Sequence, residues 1–208
     1  MGLSQPGAFF AQLKQSQLLG ATLSQDEVDG AGALLTALDG DNWSTAWAAY
    51  GLATAYHETG HTLEPVTERG GDEYFRRRYD VTGLDPARAK ANGNTAPGDG
   101  IAYRGRGYVQ LTWKSNYLKA GQVVGADLVG VPELALRLDY AAKIMCSGMR
   151  NGWFTGKGLG RYIPEAAKTA TNGQYVLARY VINGTDRAAD IAGYAAIFEK
   201  ALTAGGWS

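Results

Sequence analysis

Residues that cross-link chains or bind metals are scarce in this sequence, which has one cysteine and two histidines among 208 residues. A single cysteine cannot form an intramolecular disulfide, so synthesis in a reducing compartment is compatible with the composition. Cys146 falls within a predicted helix, where a small buried thiol is expected rather than a nucleophile. Stability must therefore come from a packed core, which a chain of this length can supply.

Net charge and long apolar runs are also absent. The 20 basic and 20 acidic side chains cancel, which argues against a nucleic-acid partner or a polybasic membrane surface. No apolar run reaches the length of about 18 residues that a membrane-spanning helix needs, so stable membrane insertion is not expected. The first residues lack the basic and apolar segments of a signal peptide, and none is expected.

Glycine, in contrast, is abundant. The 29 glycines are about twice the usual share of roughly 7%. They follow no collagen period and form no Gly/Ser linker, and many of them fall in residues 60–107 and 148–160. These two stretches are predicted to be tight loops or places of close backbone approach.

Helical patterns occupy most of the remaining sequence. Ser24 with Glu27 forms a capping box, and Ser44 can cap a helix over residues 45–59 that Gly60 would end. Further helices are predicted after Thr112, from Pro132 through Met149, near residues 174–182, and over residues 186–204. The predicted fold is mainly α (α+β, lysozyme-like), with two helical lobes, a loop-rich segment at about 60–112 and at most a small β-hairpin.

The segment His57-Glu58-Thr59-Gly60-His61 matches the pattern in which two histidines one helical turn apart bind zinc. A zinc metallopeptidase would then use Glu58 as its general base. Gly60 is a poor residue for the interior of that helix, and no further histidine is present to supply a third protein ligand. The metal-free interpretation of Glu58 is therefore favoured.

Two carboxylates of this region suit general acid and base chemistry. Glu58 lies in the last turn of an alanine-rich helix, where the helix dipole favours the protonated carboxyl that a general acid needs. Glu68 follows in a loop that can direct a second carboxylate across a cleft, and two such carboxyls are the minimum for glycoside hydrolysis. Other acidic residues compete for the second role, and spacing does not choose among them: Glu64, Asp72 and Glu73.

Residues 103–112 alternate glycine with arginine and then polar with apolar side chains. If this segment is extended, Gln110 and Thr112 share one face, where their amide and hydroxyl groups suit sugar hydroxyls or a positioned water. Arg104 and Arg106 supply forked donors for carboxylates. An RNA-binding arginine–glycine segment and a purely structural hairpin are the alternatives; zero net charge opposes the first.

Together these features resemble glycoside hydrolase family 19, the chitinase-like group that includes phage and prophage endolysins. The matching segments are AYHETGHTLEPVTERG (55–70), NTAPGDGIAYRGRGYVQLTWKSNY (94–117) and YVINGTD (180–186). The stretch AAKIMCSGMRNGWFTG (141–156) is similar to the endolysin branch. The resemblance implies a lysozyme-like fold with a substrate groove between two lobes, and one bilobed catalytic domain over residues 1–208 without a separate wall-binding domain.

The resemblance also implies residue roles. Glu58 corresponds to the general acid, Glu68 best matches the general base, and Thr112 helps to hold the attacking water. The positions implied to contact substrate or to brace the site are Tyr103, Arg106, Gln110, Asn116 and Asn183. The loop from Glu58 to Glu68 is shorter than in plant chitinases, and Ser115 stands where plant enzymes often carry tyrosine.

The function expected from these features is inverting hydrolysis of β-1,4 bonds in bacterial peptidoglycan, without a metal or an organic cofactor. Chitin is the alternative substrate, and a wall-binding module that has lost catalysis is a further alternative. The expected protein is a monomer with no nucleic-acid partner. It would stay in the host bacterial cytoplasm until a holin or membrane damage gives it access to the cell wall.

Overall fold

The computed structural model describes residues 2–20 and 22–208. The chain divides into two compact units. The first comprises Met1–Glu64 and Met145–Ser208, and the second comprises Pro65–Ile144. The chain is mainly helical, as predicted. The groove and the single-domain organisation stay predictions.

The elements follow one another along the chain with short connections. In chain order the α-helices are α1 (Pro6–Ser16), α2 (Gln25–Gly40), α3 (Thr45–Glu58), α4 (Asp72–Tyr79), α5 (Pro86–Ala91), α6 (Asp99–Ala102), α7 (Lys114–Val124), α8 (Leu138–Asn151), α9 (Asn172–Ala178) and α10 (Ala188–Ala204). The strands are β1 (Val66–Thr67) and β2 (Arg106–Gly107). Short 3-10 segments cover Pro132–Leu136, Leu159–Arg161 and Arg179–Val181.

The ends of α2 and α3 lie close to where the sequence predicts them. Ser24 and Glu27 form the reciprocal capping box of α2. Ser44 is the N-cap residue of α3, but its side chain makes no capping hydrogen bond. At the other end Gly60 adopts a φ of +68°, a left-handed conformation that terminates helices and that glycine adopts without strain.

Helix α3 is the central element of the first unit. All of its residues from Thr45 to Tyr56 are buried, which is the pattern of a helix that is packed on every side. It packs chiefly against α10, which also contacts α1 and α9. Among the described residues α10, with 17 residues, is the longest helix, and none of the described helices has the length and hydropathy needed to cross a membrane.

The second unit contains the segment predicted to be loop-rich. That prediction is wrong for three stretches, which form the short helices α4, α5 and α6. The two strands pair antiparallel, Val66 opposite Gly107 and Thr67 opposite Arg106. Because they are separated by nearly 40 residues of sequence, they form a long-range ribbon instead of the predicted small hairpin.

Two helix boundaries also differ from prediction. The helix predicted from Pro132 is divided, because Arg137 adopts an extended backbone with ψ of 133° between a 3-10 segment and α8. The helix predicted at 174–182 begins earlier, since Thr171 and Gln174 form a capping box that fixes its start. After Ala178 it tightens into a 3-10 turn.

Candidate active site

Glu58 is the last residue of α3, and its carboxylate is ion-paired. Arg179 Nη1 donates to Glu58 Oε1 over 2.7 Å. The Arg179 side chain is 1% exposed and that of Glu58 is 17% exposed. Arg179 Nε donates to the carbonyl of Asp186 at 2.8 Å, which fixes the guanidinium. The charge environment of Glu58 therefore includes a neighbouring cation as well as the helix dipole.

Two buried hydroxyls precede Glu58 along α3 at intervals of one helical turn. Tyr50 and Thr54 are both fully buried. Burial raises the pKa of Tyr50, and the charge of Arg179 opposes that rise. The Tyr50 ring stacks on Tyr175 with centroids 6.0 Å apart. The Tyr50 phenol therefore stays protonated at neutral pH.

The zinc-peptidase alternative loses its geometric basis. Helix α3 ends at Glu58, and His61 lies beyond it with a φ of +76°. The two histidines therefore do not share one helical face, as zinc binding by this pattern requires. The His61 ring instead stacks on Tyr56 at 4.5 Å. Within residues 2–20 and 22–208 no group of three metal-binding side chains could hold an ion.

His57 is expected to make folding stability pH-dependent. Burial lowers the pKa of His57. The negative charge of Glu58 opposes this shift, and the positive charges of Arg179, His61 and Arg187 add to it. Below about pH 6.5 the unfolded chain then binds more protons than the folded one, so the free energy of unfolding falls as the pH is lowered. We expect a lower melting temperature at pH 5.5 than at pH 7.5 and a smaller decrease for His57→Gln. The matched control is His61→Gln; an unchanged pH dependence in His57→Gln would contradict the assignment.

Glu68 belongs to the second unit, where three donors hold its carboxylate. Tyr79 Oη donates to Glu68 Oε1 at 2.8 Å, and Tyr74 Oη donates to the same oxygen at 3.2 Å. The backbone N–H of Gly105 donates to Oε2 at 3.2 Å. Arg78 donates to Tyr74 Oη at 2.7 Å. Glu68 is thus a carboxylate of fixed orientation.

In the Gly-Arg-Gly segment, Gly105 and Arg106 have different structural roles. A Cβ at Gly105 would lie 2.8 Å from Gln110 Oε1 and 3.1 Å from Glu68 Oε2, so a side chain there would disturb the carboxylate. Arg106 is 2% exposed and donates to Glu133 Oε1 at 2.9 Å. It pairs with a carboxylate, as the resemblance implied, although not with that of Glu58 or Glu68.

Gln110, Thr112 and Asn116 form a chain of hydrogen bonds near β2. Thr112 Oγ1 donates to the carbonyl of Gln110 at 2.9 Å, and Asn116 Nδ2 donates to that of Thr112 at 2.9 Å. The extended face predicted for Gln110 and Thr112 is wrong, because residues 108–110 form a turn and Gln110 has a φ of +52°. Arg106 and Leu111 bond to each other across this turn.

The two remaining candidates differ in exposure. Tyr103 is 6% exposed, and its hydroxyl donates to the carbonyl of Val129 at 3.3 Å, so its visible role is packing in the second unit. Asn183 lies in the first unit with an exposed side chain. Its backbone N–H donates to the carbonyl of Arg179, which places Asn183 in the same short turn as the cation that holds Glu58.

Sequence reasoning missed the partners of both carboxylates. Arg179 directly precedes the matched segment 180–186, which is the one signal that could have indicated it. No sequence motif indicates a role for the hydroxyls of Tyr74 and Tyr79. Their hydroxyls reach Glu68 because α4 forms where loops were predicted, and no local pattern specified that contact.

The chain belongs to glycoside hydrolase family 19: the family model described as chitinase class I matches residues 29–185. Chitinase 8 of Oryza sativa subsp. japonica is 33% identical over 144 residues, which cover 64% of this chain and 50% of that protein. The acidic endochitinase of Petunia hybrida is 31% identical over 148 residues, covering 66% and 50% respectively. The chain thus spans about half the length of these relatives.

Solved structures agree on the fold. Chitinase C from Streptomyces griseus HUT6037 superposes with a TM-score of 0.60 at 20% identity, covering 94% of this chain and 75% of that chain. The class IV chitinase of family 19 from Zea mays gives a TM-score of 0.52 at 17% identity, covering 96% and 94%. At these identities the likeness establishes the fold alone.

Proposed function

We propose that the protein is a glycosidase that hydrolyses β-1,4 bonds next to N-acetylated sugars with inversion, acting on bacterial peptidoglycan in the manner of an endolysin. The observation that supports it best is the orientation of Glu68 by two phenol hydroxyls and one backbone N–H. A carboxylate restrained in this way is suited to removing a proton from a water that is held in place.

In the proposed reaction Glu58 protonates the leaving glycosidic oxygen. Glu68 takes a proton from a water on the opposite face of the sugar, and that water attacks the anomeric carbon as the bond breaks. The Thr112 hydroxyl helps to orient this water. Inversion requires the two carboxyls to lie about 6.5–9.5 Å apart around the bond, against about 5–5.5 Å for retention.

Chitin is a second candidate substrate, favoured by the names of the relatives, which are chitinases. The two glycans share a β-1,4-linked backbone of N-acetylated sugars, and peptidoglycan adds a lactyl ether and a peptide stem on alternate residues. The same pair of carboxylates would cut either backbone. The choice between them therefore depends on groups around the cleaved bond.

Mass analysis of the products from purified peptidoglycan tests the function. We expect fragments that end in a reducing sugar and keep their peptide stems, with an inverted anomeric configuration of the new end by NMR. Chitin oligomers treated in parallel provide the second arm. Cleavage of chitin without cleavage of peptidoglycan would establish the second candidate, and fragments with cut peptides or no fragments would refute glycosidase action on walls.

A further inference from the structure

In the second unit, three arginine guanidinium groups lie against a cluster of aromatic rings. The ring cluster consists of the buried rings of Phe75, Tyr79 and Trp113. The rings of Phe75 and Tyr79 stack with centroids 6.4 Å apart, and Tyr79 meets Trp113 edge-on at 5.1 Å. Because Tyr79 also donates to Glu68, the ring cluster adjoins the proposed general base.

Each ring of the cluster has an arginine guanidinium against it. Arg104 lies over Phe75, Arg78 over Tyr79 and Arg88 over Trp113, with guanidinium carbons 5.4, 5.6 and 5.4 Å from the ring centroids. Stacking of this kind restrains the planar group while leaving its edge donors available. Arg78 and Arg88 are exposed, and Arg104 is half-buried.

Unlike Arg106 and Arg179, these three arginines have no carboxylate counterion among the described residues. Arg106 and Arg179 are each paired with a glutamate at less than 3 Å. In the part of the chain that the structure describes, no carboxylate lies within 4.0 Å of Arg78, Arg88 or Arg104. Few of their donors are used: Arg104 donates to the carbonyl of Ile101, and Arg78 donates to Tyr74.

Two of the cations lie next to the groups that hold Glu68. Arg78 donates to Tyr74, which donates to Glu68. Arg104 directly precedes Gly105, whose N–H donates to the same carboxylate. A sugar chain at the proposed base would therefore place its substituents near restrained guanidinium groups that have no carboxylate partner among the described residues.

We propose that Arg78, Arg88 and Arg104 bind the carboxylates of the peptide stems and thereby select peptidoglycan over uncharged chitin; this specificity rests on the proposed glycosidase function. Guanidinium groups pair with carboxylates through two parallel hydrogen bonds, which gives both energy and orientation. Chitin offers amides and hydroxyls but no carboxylate, so it cannot form these pairs.

Binding to native and chemically neutralised walls tests the proposal without cleavage. The Glu58→Gln protein is sedimented with peptidoglycan from which hydrofluoric acid has removed teichoic acid. A second portion of the same peptidoglycan has its carboxyls converted to amides with carbodiimide and ammonia, and chitin is the third ligand. We expect the dissociation constant for amidated walls and for chitin to exceed that for native walls by about tenfold or more.

Substitutions assign this effect to the cluster. In the Glu58→Gln background, Arg88→Gln with Arg104→Gln is expected to weaken binding to native walls about tenfold and to leave binding to amidated walls unchanged. The matched control, Lys143→Gln with Lys200→Gln, removes the same charge from exposed sites of α8 and α10. Melting curves establish that each variant is folded. The comparison of native with amidated walls changes only the ligand, so it tests the proposal even if an arginine variant does not fold.

The outcomes separate this proposal from the function on which it rests. Equal binding to native and amidated walls, or equal weakening by the lysine control, would overturn the role of the arginines while cleavage by the parent protein could still be present. Arginine-dependent binding together with absence of any cleavage product would support carboxylate recognition and refute the glycosidase function. Arginine-dependent binding to native walls only, with cleavage, supports both.

Discussion

Replacing Glu58 with glutamine is expected to lower the rate of glycan hydrolysis by about 10²–10⁴-fold, the usual contribution of a positioned general acid. Glutamine cannot deliver a proton to the leaving oxygen, but its Oε1 can still accept the hydrogen bond from Arg179, which is 2.7 Å from Glu58 Oε1 in the parent. We therefore expect the protein to stay folded, with lower stability than the parent because the buried Arg179 loses its counterion. Reducing-end release from purified peptidoglycan at equal protein concentration measures the effect, and thermal unfolding measures the fold.

The matched control is Glu64→Gln, because Glu64 is a partly buried carboxylate of the same unit, six residues from Glu58. It is expected to retain hydrolysis within about twofold, as a residue outside the proton transfers would. If Glu58→Gln kept the parent rate, the general acid would have been assigned to the wrong carboxylate. An equal loss in Glu64→Gln would instead assign the second catalytic role to Glu64 and contradict the role of Glu68. Glu68→Gln then tests the base in the same assay.

The parts of the fold that sequence predicts are those fixed by local chemistry. The start of α2 depends on Ser24 and Glu27, three residues apart, and both hydrogen bonds of the capping box form. The end of α3 depends on a glycine that can adopt positive φ at residue 60. In each case a few neighbouring side chains determine the backbone, so the pattern is visible in the sequence.

Long-range pairing is the part that local patterns do not determine. The ribbon joins Val66–Thr67 to Arg106–Gly107 across nearly 40 residues, and strands of two residues are too short for a local pattern to identify their partner. The break at Arg137 is similar, since an apolar period of 3.6 continues through it while the backbone does not. Tertiary contacts determine the backbone at the ribbon and at Arg137, and local propensity alone is a weak guide to either.

The candidate site follows the same division. Glu58 and Glu68 can be selected from sequence because carboxyl chemistry and the family resemblance both indicate them. Their partners cannot, since Arg179 is 121 residues from Glu58 and Tyr79 reaches Glu68 only after α4 has formed. The chemical environment of each carboxylate is therefore a property of the fold.

Replacing Arg179 with methionine is expected to destabilise the protein by about 3–5 kcal/mol, the range for breaking one side of a buried ion pair. The guanidinium is 1% exposed and Glu58 is 17% exposed, so little water can replace the lost partner. The carbonyl of Asp186 also loses the donor that lies 2.8 Å away. Equilibrium unfolding in urea, followed by circular dichroism, measures the change in the free energy of unfolding.

Two further variants separate the ion pair from general damage. Arg187→Met removes an exposed arginine paired with Asp190, and surface pairs of this kind contribute about 0–1 kcal/mol. The double variant Arg179→Met with Glu58→Met removes both charges. It should be more stable than Arg179→Met alone, because an uncompensated carboxylate costs more than an apolar pair of similar volume. The single variant Glu58→Met completes the double-mutant cycle. If the double variant lost as much free energy of unfolding as Arg179→Met and Glu58→Met together, Arg179 and Glu58 would not stabilise each other.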